Sequence, residues 1–66
     1  MKVMINGKGE ELQDGISVAE LLAFRKIRAE MISVELNGAI LHRGKFGSTR
    51  LSEGDKVEFI YYMGGG

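Results

Sequence analysis

The sequence predicts an α+β fold in which one helix packs across one side of a single β-sheet. Short runs that alternate apolar and polar residues indicate strands, and two Asn-Gly pairs indicate tight hairpins between them. One capping sequence followed by apolar residues at helical spacing indicates one helix. With 66 residues and no cysteine, the chain is expected to be one small domain, stabilised by apolar packing and hydrogen bonding without a disulfide.

The first two elements are predicted to form a hairpin. The run from Met1 to Asn6 alternates as a half-buried strand does. Asn6-Gly7 tolerates the positive φ angles of a tight turn, so Lys8 to Gln13 should return as a second, more polar strand. Asp14-Gly15 ends that strand.

A helix is predicted to begin at Ser17-Val18-Ala19-Glu20, which reads as a capping box. The Ser17 hydroxyl should accept from the N–H of Glu20, and the Glu20 carboxylate from the N–H of Ser17. Basic residues from Arg25 to Arg28 place the last turn nearby. The expected apolar face comprises Val18, Leu21 and Leu22, extended by Phe24 and Ile27.

The second half of the chain is predicted to contain three more strands. Ile32 to Leu36 alternates, Asn37-Gly38 turns it, and Ala39 to Leu41 forms a short partner. Between Arg43 and Arg50 we expect an irregular loop. Phe46 should enter the edge of the core from that loop, and Leu51 should anchor its return.

Turn residues Ser52 to Asp55 lead into the final strand, in which Val57, Phe59 and Tyr61 should share one face. The predicted order is therefore β, β, α, β, β, β. The opposite face offers Ile60 and Tyr62, with Met63 following. These three residues are predicted to form a partner surface, unless one or two of them complete the core.

Composition excludes several classes of function. Nine basic and nine acidic residues balance, which argues against nucleic acid and an anionic membrane as partners. Without cysteine the chain cannot hold a persulfide or build a thiolate metal site. The absence of disulfides and of an apolar leader favours a cytoplasmic location. His42 is the only histidine, so we expect a surface or packing role for it.

The last residues, Gly64-Gly65-Gly66, directly follow the final strand. Glycine loses more backbone freedom on ordering than any other residue, so we predict a folded domain over 1–63 and a flexible tail over 64–66. Such a tail can thread a narrow cleft of a partner enzyme and present the Gly66 carboxylate there. The alternative is a disordered end or a remnant of an expression vector.

The order of these motifs resembles the ubiquitin-like sulfur carriers of the β-grasp fold, and most closely the thiamine-biosynthesis sulfur carrier family called ThiS. The resemblance covers essentially the whole chain and implies a mixed sheet of four to five strands with one helix packed across it. It is carried by Asn6-Gly7, the segment from Ser17 to Leu22, Leu36-Asn37-Gly38, the segment from Leu51 to Glu58, and the terminal glycines.

The resemblance implies a carrier rather than an enzyme, with no catalytic residue, metal or cofactor of its own. A ThiF-like adenylating enzyme would use ATP to join AMP to the carboxylate of Gly66. A sulfur donor such as a cysteine desulfurase would then convert that carboxylate to a thiocarboxylate. Thiazole synthase would receive the sulfur for the thiazole of thiamine.

Two alternatives to thiamine synthesis stay open. Related carriers serve molybdopterin or amino-acid sulfur assembly, and this chain departs from the thiamine type by having His42-Arg43 and Phe46 where the family often has a proline, an arginine and a tryptophan, and by Met63 before the glycines. The second is a non-carrier ubiquitin-like interaction module. An enzyme would need a nucleophile with a base or a metal cluster, and the sequence offers neither.

Overall fold

The described part of the chain forms one mixed sheet of five strands, and a single α-helix covers one of its faces. The computed structural model describes residues 1–62. The elements are β1 (Lys2–Ile5), β2 (Lys8–Glu11), α1 (Val18–Phe24), β3 (Ile32–Leu36), β4 (Ala39–Leu41) and β5 (Lys56–Tyr61), with short 3₁₀ turns at Ala29–Met31 and Arg43–Lys45. The predicted element order and α+β class are confirmed, whereas the predicted boundary between a domain over 1–63 and a tail over 64–66 lies outside the described residues.

The last strand of the chain lies at the centre of the sheet. The strand order is β2-β1-β5-β3-β4, so β5 lies between β1 and β3. It runs parallel to β1, with Ile5 opposite Val57, and antiparallel to β3, with Val34 opposite Phe59. The two hairpins β1-β2 and β3-β4 therefore flank β5 on either side.

Both hairpins turn through Asn-Gly pairs, as predicted. The φ angles are 49° at Asn6 and 83° at Gly7, and 53° at Asn37 and 87° at Gly38. Positive φ at both central residues is the pattern of a type I′ turn, whose twist matches that of the flanking strands. β2 ends at Glu11, two residues before the predicted Gln13.

The predicted capping box at the start of α1 is confirmed. The N–H of Glu20 donates to Ser17 Oγ at 3.0 Å, and the N–H of Ser17 donates to Glu20 Oε1 at 2.9 Å. Ser17 is buried, so these bonds satisfy polar groups that water does not reach.

The other end of α1 is closed by a Schellman motif that the sequence analysis missed. The N–H of Ile27 donates to the Leu22 carbonyl at 2.9 Å, and the N–H of Lys26 to the Ala23 carbonyl at 3.0 Å. Lys26, with φ of 59°, takes the left-handed position that glycine usually fills. The turn returns Ile27 to pack against the core.

Phe24 does not extend the apolar face of α1, so that part of the prediction is wrong. Its side chain is 79% exposed. The buried stripe of Val18, Leu21 and Leu22 continues on a helix at position 25 rather than 24, because successive residues are rotated by about 100°.

The core lies between α1 and the sheet and is completed from the long loop. Phe46 and Leu51 are buried there, as predicted. The loop is fastened to the start of α1 because the N–H of Leu51 donates to the Ile16 carbonyl at 2.9 Å. The buried core residues are Val3, Ile5, Val18, Leu21, Leu22, Ile32, Val34, Phe46, Leu51, Val57 and Phe59. Over residues 1–62 no helix has the length and apolar character needed to cross a membrane.

Candidate functional site

The C-terminal end of β5 is held firmly up to the last described residue. The N–H of Tyr62 donates to the Met31 carbonyl at 3.1 Å, which extends the pairing with the β3 side by one residue beyond the strand. The Ser33 hydroxyl donates to the Tyr62 hydroxyl at 3.1 Å. Residues 63–66 follow directly, and four residues reach at most about 14 Å from Tyr62.

Ile60 and Tyr62, two of the predicted partner residues, are brought together on one face of the sheet. Ile60 lies opposite Ser33 in the ladder, and the Ser33 hydroxyl reaches Tyr62, so the three side chains share the face that α1 does not cover. Ile60 is 47% exposed and Tyr62 is 53% exposed, so neither completes the core. Partner binding there stays a prediction. Met63, Gly64, Gly65 and Gly66 lie outside the described residues.

The same face carries an exposed isoleucine that the sequence analysis missed. Ile40 of β4 is opposite Glu35, and Glu35 is opposite Glu58 on β5, which places all three on the uncovered face. Ala39-Ile40-Leu41 has no polar residue to mark which side faces solvent, so only the strand register identifies Ile40. The two directly opposed carboxylates interrupt the apolar surface between Ile40 and Ile60 and repel each other.

Tyr61 lies on the other face of β5, at the last position of the strand. It shares that face with Val57 and Phe59, as predicted, and lies opposite Ile32. Unlike Val57 and Phe59, it is more than half exposed. Met31, beside Tyr62, is also exposed. Large apolar or aromatic side chains are therefore open to solvent on both faces where β5 ends.

The Asn6 side chain binds the main chain of β5 just before this end. The N–H of Phe59 donates to Asn6 Oδ1 at 2.7 Å, and Asn6 Nδ2 donates to the Phe59 carbonyl at 3.3 Å. Asn37 acts similarly on the other side of the strand, where its Oδ1 accepts from the N–H of Lys56 at 2.9 Å. The Asn-Gly pattern predicted both asparagines only as turn residues.

Away from this end of β5, the structure shows no cluster of titratable side chains within residues 1–62 that could form a metal site. A cavity of about 310 Å³ near the start of α1 is lined by Glu20, Phe24 and Arg50, among others. Glu20 accepts from the Ser17 N–H, and Arg50 Nη1 donates to the Gly15 carbonyl at 2.8 Å. His42 is exposed at the start of a 3₁₀ turn. In the described part of the chain, no three His, Cys, Asp or Glu side chains are placed to hold a metal ion.

Comparison with solved structures confirms the expected ubiquitin-like β-grasp architecture. The chain superposes on the crystal structure of the thiamine biosynthesis protein ThiS from Geobacter metallireducens with a TM-score of 0.86. The two are 43% identical in sequence, and the match covers 100% of each chain. The NMR structure of a thiamine biosynthesis protein from the same organism gives a TM-score of 0.80 at 40% identity, covering 100% of this chain and 88% of that one.

Sequence relatives fall into two kinds. A thiazole synthase from Magnetococcus marinus is 33% identical over 66 residues, which are 100% of this chain and 20% of that protein. This chain thus spans about a fifth of that relative's length. The uncharacterized protein ycf40 of Pyropia yezoensis is 36% identical over 100% of this chain and 93% of its own length.

The family assignment follows from a match along nearly the whole sequence. The profile of the ThiS family matches residues 3–66, which include the helix, the terminal glycines and all of the described strands except Lys2 of β1. The chain therefore belongs to the ThiS family.

Proposed function

We propose that this protein carries sulfur as a thiocarboxylate on Gly66 and donates it for thiazole formation in thiamine biosynthesis. The observation that carries the proposal is the family match through the terminal glycines, on a fold whose central strand is followed directly by the exposed Tyr62, which is hydrogen-bonded to Met31. In this proposal the chain is a cosubstrate, and the catalytic groups, the metal and the nucleotide belong to its partners.

The chemistry needs a leaving group on the carboxyl carbon, because a carboxylate resists nucleophiles. One carboxylate oxygen of Gly66 attacks the α-phosphorus of ATP, and pyrophosphate leaves. A sulfur nucleophile at the oxidation level of sulfide then attacks the carbonyl carbon, and AMP leaves with that oxygen. A ThiF-like enzyme would catalyse the first step. A donor such as a cysteine desulfurase would supply the sulfur as a persulfide, and an external pair of thiols would reduce its outer sulfur to the level of sulfide while being oxidised to a disulfide.

Thiazole synthase is the proposed acceptor. Two proteins with that name, from Magnetococcus marinus and Paramagnetospirillum magneticum, contain a stretch similar to this entire chain within one fifth of their own length. A carrier joined to the enzyme that consumes its sulfur would act at high effective concentration. This arrangement in the relatives supports the proposal that this protein also delivers sulfur to a thiazole synthase, either as a separate chain or joined to it.

Tail contacts alone would bind a partner weakly, since ordering each glycine costs about 1 to 2 kcal/mol of backbone entropy. The folded surface must therefore contribute. We propose that Ile60, Tyr62 and Met63 supply it, with Tyr62 as the anchor because aromatic residues are enriched at interfaces.

The test is the intact mass of the chain recovered from cells that are synthesising thiamine, with fragmentation to locate any change. An oxygen-to-sulfur mass gain at Gly66 is expected. An unmodified chain from such cells would contradict the proposal and favour an interaction module or a carrier for another pathway.

Deleting Gly66 tests the site itself. The deletion should abolish adenylation by the partner enzyme and leave the free energy of unfolding within about 0.5 kcal/mol of the starting value, as surface changes usually do. The two readouts are ATP-dependent formation of the acyl adenylate and urea denaturation. Adenylation that survives the deletion would rule out Gly66 as the attachment site.

A further inference from the structure

The pairing of β5 with β3 turns the main chain of Tyr61 away from β3. In antiparallel pairs, residues that exchange main-chain hydrogen bonds alternate with residues that do not. Tyr62 belongs to the first set, because its N–H donates to the Met31 carbonyl at 3.1 Å. Tyr61, its neighbour, belongs to the second set and points its N–H and C=O toward the side occupied by β1.

On the β1 side, every second residue of this segment, Asp55, Val57 and Phe59, forms hydrogen bonds through its main chain, and Phe59 is the last of them. The N–H of Met4 donates to the Asp55 carbonyl at 2.9 Å, and the N–H of Asn6 to the Val57 carbonyl at 2.9 Å. The chain then turns at Asn6-Gly7, so β1 has no further main-chain groups to offer. The Asn6 amide, which carries a C=O and an N–H as a peptide unit does, takes the place of the next rung by bonding both groups of Phe59.

Tyr61 is the next residue of β5 whose main-chain N–H and C=O point to this side. Among residues 1–62 no turn, loop or side-chain hydrogen bond reaches its N–H or C=O. The neighbouring Gly7 adds no side chain, and a Cβ built on it would meet nothing within 4 Å. A strand placed here would lie in line with β1, about 4.8 Å from β5.

We propose that an extended segment of the adenylating partner pairs with the main chain of Tyr61 as an added strand, next to the Asn6 amide. This inference rests on the proposed function. The partner is the fitting occupant because its active site must reach Gly66, which lies within about 14 Å of Tyr62 along the chain. The exposed side chains of Ile60, Tyr61 and Tyr62 then pack against alternate side chains of the added segment on both faces.

The test replaces Tyr61 with proline, which removes the N–H that the added strand would use and that no group within residues 1–62 bonds. Tyr61→Ala is the matched control, since it removes the same side chain and keeps the N–H. Adenylation kcat/KM with the ThiF-like enzyme should fall by about tenfold or more in Tyr61→Pro relative to Tyr61→Ala. Equal rates would overturn the pairing.

Hydrogen exchange on the unmodified chain gives a second readout that does not depend on how well Tyr61→Pro folds. The Tyr61 amide should exchange fast in the free protein, while the Phe59 amide is protected, and it should become protected when the adenylating enzyme is bound. A Tyr61 amide that stays unprotected in the complex would overturn the inference. If the Tyr61 amide is protected in the free protein and its protection grows with protein concentration, a second copy of this chain pairs with Tyr61, and the inference is also overturned.

The two proposals fail in different ways. If the enzyme forms no adenylate on the unmodified chain, the proposed function is wrong and this inference falls with it. If the unmodified chain and both Tyr61 variants are adenylated equally, the proposed function stands and the added strand alone is wrong.

Discussion

Lys26 adopts a backbone conformation that suits glycine better than lysine. Its φ of 59° places it in the left-handed region, where the Cβ of an ordinary residue approaches the carbonyl oxygen. The Schellman motif at the end of α1 needs this conformation, because it lets the N–H groups of Lys26 and Ile27 reach back to the helix. The sequence carries no glycine there, so no local signal located this motif.

Replacing Lys26 with glycine should raise the free energy of unfolding by about 1 kcal/mol, since the left-handed conformation then costs no steric strain. Urea denaturation measures the change. Lys26→Ala is the control, because it removes the charge and keeps the strain, and it should not stabilise. A Gly variant no more stable than the Ala variant would contradict this account.

Helix α1 depends on its caps because it has only seven residues. Isolated helices of that length are not stable in water, so packing and capping must hold it. The N–H of Ser17, which donates to the carboxylate, is the main cause of the lowered pKa of Glu20, and the Ser17 side chain and the charge of Arg50 lower it further. Glu20 ionises in the fold below its ordinary pKa of 4.5.

The pH dependence of stability follows from that direction. A carboxyl group with a lowered pKa in the fold contributes stability above its unfolded pKa and loses it as the pH falls through the folded value. Glu20→Gln keeps an acceptor for the Ser17 N–H and removes the titration, so its stability should decline less steeply below about pH 4.5 than that of the parent chain.

Urea denaturation between about pH 7 and pH 3 provides the measurement. Glu30→Gln is the comparison, because the pKa of Glu30 is also lowered, first by its own backbone N–H and then by Arg28. Each variant should remove its own part of the acid sensitivity. An unchanged pH profile in Glu20→Gln would show that the capping carboxylate does not contribute.

Turns and helix starts that are determined by a few adjacent residues were predictable from the sequence. Contacts between residues far apart in the chain were not. Asn-Gly pairs and the Ser17–Glu20 box act within four residues, so their patterns are visible along the chain. The hydrogen bonds of the Asn6 side-chain amide to Phe59 join residues 53 positions apart, and no periodicity in the sequence predicts them. Tyr61 shares a face with the buried Val57 and Phe59 and is nevertheless exposed, and the alternation along β5 does not predict this difference.

At the scale of the whole molecule, two of the three phenylalanines differ sharply in burial. Phe46 enters the core from an irregular loop and is 5% exposed, whereas Phe24, on the helix, is 79% exposed. A domain of 66 residues has a small free energy of unfolding, so the burial of the Phe46 side chain contributes to the stability of the entire fold.

Phe46→Ala should cost about 3 to 5 kcal/mol, by lost burial and an unfilled cavity, and leave much of the chain unfolded. Phe24→Ala, the same change at an exposed site, should stay within about 0.5 kcal/mol of the parent. Circular dichroism with urea titration measures both. Similar losses at the two positions would mean that the loop does not complete the core.

The central position of β5 means that the sheet cannot form until β5 has been synthesised. Before β5 is made, the nascent chain holds two hairpins and a seven-residue helix, and elements of this kind are marginal or unstable alone. Only β5 joins the hairpins into one sheet, by contacts that close a loop of some fifty residues. Chains cut short before β5 should therefore stay unfolded and open to proteolysis, so a partner that recognises the sheet would meet only molecules in which β5 is complete.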